Sequence, residues 1–440
     1  MIKREQIAGP LLLGALCAAG AEAAQVNADW SVDAEVRLRY ERMNNFNDKQ
    51  YGDTVTTGKS KDNYLLSRIR LGTTYRLNPD LLVKVSLQDA RVIDWGFTDQ
   101  EWYNKEFGLI HNPQEDQLEL YHTYLEASNL GGLPLTLTLG RQRIAYGDNR
   151  VFGPGEWKNS GKWIWDAAKA SYKSGKHFVD LFVGKTLLHD PDTFSLDHRW
   201  GYTGAGLYGH YAWEQGAFEP ILAYKHNDDG EAKYDALTHY YAGFRVYDTD
   251  INRFFYNATY IKQWGEQTKL SGSEADVDAY GWHADAGYGL GKAYGDVKLG
   301  LGYTYASGDD TKSGDVEKFD AVFGASDKYY GRMNLMTWSN LEDAELFATF
   351  APMQKVKVKA EYHRFSVADS SDTWRVYKNP AGSDETHLGD EFDLLAKYAF
   401  SKAVSFQAGF GHFWPGDFIK ANVPSDSEAD WFFLQSTFRF

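Results

Sequence analysis

The chain has 440 residues with 61 acidic against 46 basic side chains, and its formal charge of −15 makes nucleic acid an unfavourable partner. Aromatic residues supply 16% of it (29 Tyr, 26 Phe and 14 Trp), too many for a disordered chain. A soluble chain of this length divides into two or three domains, because single cores rarely grow beyond roughly 250 to 300 residues, whereas a large barrel escapes that limit with an unpacked interior and a lipid-covered outside.

The chain opens on the basic run Met1-Ile2-Lys3-Arg4, followed by an apolar stretch from Ile7 to Gly20 and then Ala21-Glu22-Ala23-Ala24-Gln25. This order of basic, apolar and small residues predicts an export signal over 1–24, cut after Ala23 or Ala24, and one barrel domain over 25–440. The apolar run is too short for a membrane-spanning helix. The single cysteine, Cys17, falls inside it behind Leu16, which does not fit a lipoprotein signal, so the mature chain has no thiol for a disulfide, a nucleophile or a metal. Past the signal no apolar run approaches the roughly 18 residues of a spanning helix. A secreted chain of this kind either stays soluble or crosses the outer membrane as a barrel, which hides its hydrophobicity in alternation.

Alternation recurs along the chain. From Trp30 one parity reads Trp30, Val32, Ala34, Val36, Leu38 and Tyr40, and the other Ser31, Asp33, Glu35, Arg37, Arg39 and Glu41. Successive strand side chains face opposite sides, so one face is apolar and the other charged. Leu65, Ile69, Leu71 and Tyr75 oppose Arg68, Arg70, Thr74 and Arg76 in the same way, and Val356, Val358, Ala360 and Tyr362 oppose Lys357, Lys359, Glu361 and His363. In the last segment Phe432, Leu434, Phe438 and Phe440 share one parity, with Gln435, Thr437 and Arg439 on the other.

Each segment alone would also fit a soluble half-buried sheet. Aromatics gathered at the segment ends, as in interfacial girdles, favour lipid. The segments predict about eighteen antiparallel strands, starting near 30, 63, 80, 116, 134, 163, 177, 202, 217, 237, 253, 277, 296, 338, 354, 387, 403 and 429, with the weakest alternation at 116 and 338. Connections alternate between short turns, such as Asn78-Pro79-Asp80 and Ser174-Gly175-Lys176, and long loops at about 43–62, 92–115, 145–162, 307–337, 367–386 and 415–428. Short periplasmic turns and long extracellular loops predict that asymmetry. Loops of such length, 92–115 among them, are candidates for folding into the lumen.

The chemistry-bearing population is inward-facing charge: Arg37, Arg39, Arg68, Arg70, Arg76, Lys84, Lys357 and Lys359, with Asp33, Glu35 and Glu361 on the same parity. Two readings stay open. The charges either pair with one another along an aqueous wall, or form an electropositive path that attracts and releases an anionic solute. Arg141 and Arg143 share parity with the apolar Leu135, Leu137 and Leu139, so either a bulge at Gly140 turns them inward or the strand has left the lipid there; a glycine within a strand favours the bulge.

The stretch GRQRI at 140–144, the Ser307-Gly308-Asp309-Asp310 loop leading to Phe319-Asp320, Tyr330-Gly331-Arg332, and the close from Pro415-Gly416-Asp417 to Phe438-Arg439-Phe440 resemble the bacterial alginate-export family of outer-membrane porins. The resemblance covers most of the mature chain. It implies an eighteen-stranded monomeric barrel whose arginine-rich constriction passes a polyuronate, with Arg70, Arg141, Arg143 and Arg332 as the residues carried over by position. It also implies outer-membrane lipids as surroundings and periplasmic secretion partners as candidates. The chain departs from the family's alginate exporter where lumenal arginines give way to Glu119-Leu120-Tyr121 and Gln407-Ala408-Gly409. These departures weigh against alginate more than against an anionic polysaccharide, oligosaccharide or smaller acid as a class.

No helical His pair or ligand triad points to zinc, and no cofactor motif occurs. The acidic loop 309–320 lacks the spacing of an EF-hand and reads as solvated rather than calcium-binding. The expected function is a channel without catalysis; the alternatives are a barrel-embedded hydrolase acting on lipid or surface polysaccharide, and a soluble carbohydrate-binding β-protein.

Overall fold

The computed structural model describes residues 24–27, 29–47, 50–52, 60–94, 114–161, 163–187, 200–227, 236–268, 272–291, 295–310, 312–325, 329–375, 384–423 and 425–440. The expected signal up to residue 23 lies outside them. Among the described residues, beside short strands at Ala24–Asn27, Phe46–Asn47 and Gln50–Tyr51, eighteen strands form the barrel wall: β1 (Trp30–Asn44), β2 (Lys61–Asn78), β3 (Leu81–Ile93), β4 (Asp116–Ala127), β5 (Leu135–Arg143), β6 (Ile164–Ser174), β7 (His177–Leu187), β8 (Trp200–Ala212), β9 (Gly216–Asn227), β10 (Leu237–Ile251), β11 (Phe254–Thr268), β12 (Glu274–Gly291), β13 (Val297–Ala306), β14 (Leu341–Phe350), β15 (Val356–Ser366), β16 (His387–Tyr398), β17 (Val404–Pro415) and β18 (Ala429–Arg439). Each pairs antiparallel with the next, and β18 pairs with β1 through registers such as Val36↔Phe438 and Tyr40↔Leu434, so the sheet closes with no free edge. None of the expected strand starts lies more than three residues from the observed one.

The alternation becomes two faces. On β7, Leu181 and Val183 are 57% and 56% exposed on the outside while Phe182 between them is 1% exposed within. A closed barrel satisfies every ladder hydrogen bond within the wall, which lets strands cross a bilayer. Outward aromatics sit at both ends, among them Trp30, Tyr75, Tyr172 and Tyr398 near the short turns and Tyr40, Tyr240, Trp264 and Tyr362 toward the long loops.

Two long connections fold into the barrel. Residues 144–161 follow β5, and the described residues of 307–340 follow β13. They meet at a parallel bridge between Phe152 and Phe323, where Phe323 N–H donates to Val151 O (3.1 Å) and Gly153 N–H to Phe323 O (3.0 Å). Aromatic packing seats them on the inner wall: Tyr146 stacks on Tyr208 at 4.4 Å, Phe152 meets Phe182 edge-on at 5.3 Å, and Phe323 meets Trp165 at 4.6 Å. A second bridge, Val277↔Val316, ties the later segment to β12. Burial of this kind stabilises by roughly 25 cal/mol per Å² of apolar surface removed from water, so both segments are held by a core. The loop 92–115, which the sequence also offered as a plug, lies for residues 95–113 outside the described residues.

The irregularity expected at Gly140 belongs to its neighbour. Pairing through β5 runs without a slip against β4 and β6. Gly140 instead takes a φ of +122°, and a Cβ there would lie 2.5 Å from Thr123 O. The extra residue is in β4, where Tyr121 and His122 together oppose Ser86 between the pairs Leu87↔Leu120 and Val85↔Thr123. The Ser86 hydroxyl meets the orphaned backbone, accepting from His122 N–H (2.8 Å) and donating to His122 O (3.1 Å).

Candidate functional site

The inward arginines of β1 and β2 face the segment 144–161. Arg37 donates to Glu156 O (3.0 Å), Lys158 O (3.0 Å) and Asn159 Oδ1 (3.1 Å). Arg68 binds Glu35 at 2.6 Å and also reaches Glu156 O (3.3 Å) and Asn159 O (3.4 Å). Arg39 pairs with Glu41 (2.6 Å) and lies 4.0 Å over the Trp157 ring and 4.4 Å from that of Phe433. Five guanidinium donors in a planar fork suit a chain that presents successive carbonyls and an aromatic face.

Glu156 is the acidic hub. Arg70 lies 3.4 Å from its carboxylate and Arg143 3.5 Å, and the Tyr121 hydroxyl donates to it. Arg70 also donates to Gln88 Oε1 (2.8 Å) and stands 3.8 Å over the Tyr121 ring. Burial alone would raise the Glu156 pKa; Arg70, Arg143, the Tyr121 hydrogen bond and Arg68 outweigh it and bring the carboxyl from the ordinary 4.5 down to about 2.

Between this segment and the wall of β1, β2, β17 and β18 lies a cavity of about 300 Å³. Arg37, Arg68, Arg143 and Arg439 line it against Glu35 and Glu156, with Gln407, Gln435 and Thr437 between. Four guanidiniums face two carboxylates there, so the space is electropositive although the whole chain is acidic.

The other residues expected on the path are elsewhere. Lys84 pairs with Asp33 (2.9 Å) near the short turns. Arg141 is held by Glu119 (2.8 Å) and Asp166 (2.9 Å), so one of the positions that departs from the alginate exporter neutralises an arginine. Arg332, on the later inward segment, grips Glu361 through two contacts at 2.7 and 3.1 Å, and Lys359 shares that carboxylate and approaches Glu345 (3.5 Å). Lys357 is exposed. Sequence reasoning missed Glu156, Asn159 and Arg439. Arg439 carried its signal in the inward parity of the last strand; the other two sit in a loop, where no parity applies. It also missed the ion pairs of the far wall, Lys225 with Asp320 (2.6 Å) and Arg245 with Glu219 (2.7 Å).

Among the described residues the fold brings together two groups of metal-capable side chains. Glu345, Glu361 and His363 place ligand atoms within 4.8 Å of one another, but Glu361 is already neutralised by Arg332 and Lys359; Asp309, Asp310 and Glu317 form the other group, in the acidic loop.

The alginate-export family model matches residues 29–433. The chain belongs to the alginate-export family. As a closed barrel of that family it is an outer-membrane channel. No curated protein matches it. Its fold is shared with the Pseudomonas aeruginosa porin OccK8 (OprE), at a TM-score of 0.60 and 10% identity over 95% of this chain and 99% of the other. It is also similar to OccK2 (OpdF) of the same organism in complex with glucuronate (TM-score 0.57, 11% identity, 94% and 98% covered) and to OpdK with vanillate (0.58, 11%, 93% and 98%).

Proposed function

We propose that this alginate-export channel passes anionic oligosaccharides or small carboxylic acids, with the basic cavity as its selective constriction. The observation that carries the reading is that cavity, where Arg37, Arg68, Arg143 and Arg439 converge on about 300 Å³. Such a volume suits one sugar acid at a time. The two structural neighbours in complex with glucuronate and vanillate hold ligands of that charge class. Seating of both inward segments against the wall favours short acids over a continuous polyuronate, so a role in polymer export with periplasmic partners is the less supported form. A ladder of carboxylate-paired arginines binds weakly at each step, and weak binding permits release.

The experiment is planar-bilayer conductance of the refolded barrel, with glucuronate added as a blocker. Anion preference and block that both weaken in Arg143→Gln/Arg439→Gln support the reading, and an unchanged permeability ratio refutes it.

A hydrolase has one arrangement in its favour: His283 lies between Asp285 Oδ2 (2.8 Å from Nε2) and Thr304 Oγ1 (2.9 Å from Nδ1), an acid–base–hydroxyl line. Thr304 is 2% exposed. A nucleophile must reach its substrate, so we read the line as wall structure, and Thr304→Val should leave any measured turnover unchanged.

A further inference from the structure

The outward face where β2, β1, β18 and β17 adjoin changes character over two steps along each strand. At the level of Tyr40 the cross-strand row is Leu65, Tyr40, Leu434, all exposed and apolar or aromatic. One step toward the long loops the row is Asn63, Arg42, Phe432, and the next is Lys61, Asn44, Asp430. Two steps of two residues at about 3.3 Å per residue span roughly 13 Å along the strand, or about 10 Å of depth at the usual barrel tilt, enough to pass from acyl chains into headgroups. A cavity of about 400 Å³ opens here, with Arg42, Lys61 and Asn44 above and the rings of Phe410 and Phe432 below.

Arg42 and Lys61 are both exposed, and among the described residues neither forms an ion pair, in contrast to the carboxylate-paired arginines of the lumen. Among the described residues lining the site the one carboxylate, Asp430, is engaged by His412 at 2.7 Å. Two unpaired cations beside each other repel, and a basic side chain near a membrane surface gains most from an anionic headgroup.

We propose that this cleft binds a phosphate-bearing glycolipid of the outer leaflet, with its phosphate on Arg42 and Lys61 and its acyl chains along Phe410, Phe432 and the Tyr40 row. The ligand is a lipid rather than a free anion because the cations stand directly over an apolar floor on the lipid side of the wall. Arg42 contributes a planar fork to the phosphate oxygens and Lys61 a compact charge. The site lies outside the barrel and is independent of the solute read for the lumen.

The test is native mass spectrometry of the purified, delipidated barrel in detergent, titrated separately with bisphosphorylated lipid A, its dephosphorylated analogue and inorganic phosphate. The proposal expects retention of the phosphorylated lipid, about tenfold or more weaker in Arg42→Ala/Lys61→Ala, with heat-modifiable migration showing that the variant still folds. It also expects partial recovery when Arg42→Lys replaces Arg42→Ala. Equal retention of the dephosphorylated lipid, an unaffected double variant, or displacement of the lipid by millimolar inorganic phosphate would each overturn it, the last by showing a free-anion site.

Discussion

Arg37 on β1 and Asn159 on the first inward segment are 122 residues apart in sequence and joined by a 3.1 Å hydrogen bond. The same guanidinium meets the backbone carbonyls of Glu156 and Lys158, so the segment is clasped by its main chain. Replacing Arg37 with Ala takes a donor from both carbonyls and leaves Glu156 O to Arg68 at 3.3 Å, a loss of about 1–3 kcal/mol for each group left unsatisfied. The expected outcome is a noisier channel of higher mean conductance with β-sheet content unchanged, read from single-channel traces and circular dichroism.

Glu156 sets the pH behaviour of the clasp. Its folded pKa of about 2 lies below the ordinary 4.5, so its contribution is present at neutral pH and is lost as the pH falls through about 2. Conductance should hold steady from pH 7 to about 4.5 and rise at still lower pH, while Glu156→Gln should show the low-pH conductance already at pH 7. A titration of single-channel current on both proteins checks this.

On the proposed reading, position should decide which basic residues govern selectivity. Arg143 and Arg439 line the cavity, whereas Lys357 is exposed on β15 and does not line it. Neutralising the first two should lower the anion-to-cation permeability ratio several-fold, and Lys357→Gln should leave it nearly unchanged. Reversal potentials across a salt gradient separate the two outcomes.

Gly140 takes a left-handed φ of +122° with Thr123 O where a Cβ would stand. Gly140→Val should destabilise the barrel by about 1–3 kcal/mol, seen as a lower temperature for loss of heat-modifiable migration.

The signal read at 1–24 predicts that the mature protein begins at Ala24 or Gln25. Terminal sequencing of protein extracted from outer membranes tests it, and an intact Met1 would refute it.

The wall was legible because lipid and lumen impose opposite demands on neighbouring residues. The pair Arg68 and Ile69 shows the contrast in two letters. Alternation was weakest at 116 and 338, and each has a cause: β4 carries Leu118 at φ +43° and the doubled Tyr121-His122, while Trp338 belongs to the inward segment and donates to Tyr305 O (2.9 Å) ahead of β14. The basic cavity was only half legible. Strand parity placed Arg37, Arg68 and Arg70 inside, but their partners Glu156 and Asn159 lie in a loop whose path is decided by contacts such as Phe152 on Phe323, and no local pattern encodes those. The bulge was assigned to the wrong strand because a glycine is a visible mark, whereas a slip in pairing appears only against the neighbour.

The seam between the first and last strands bears on how the molecule is made. Glu35 and Arg439 meet at 2.9 Å across 404 residues of chain. Until β18 arrives, β1 offers an open strand edge, the kind of surface that recruits other chains, and so distant a pairing is slow to form. The polypeptide therefore exists longest in its most adhesive state after all its other strands are in hand, and its yield in a cell depends on how long those two edges are kept apart from strangers.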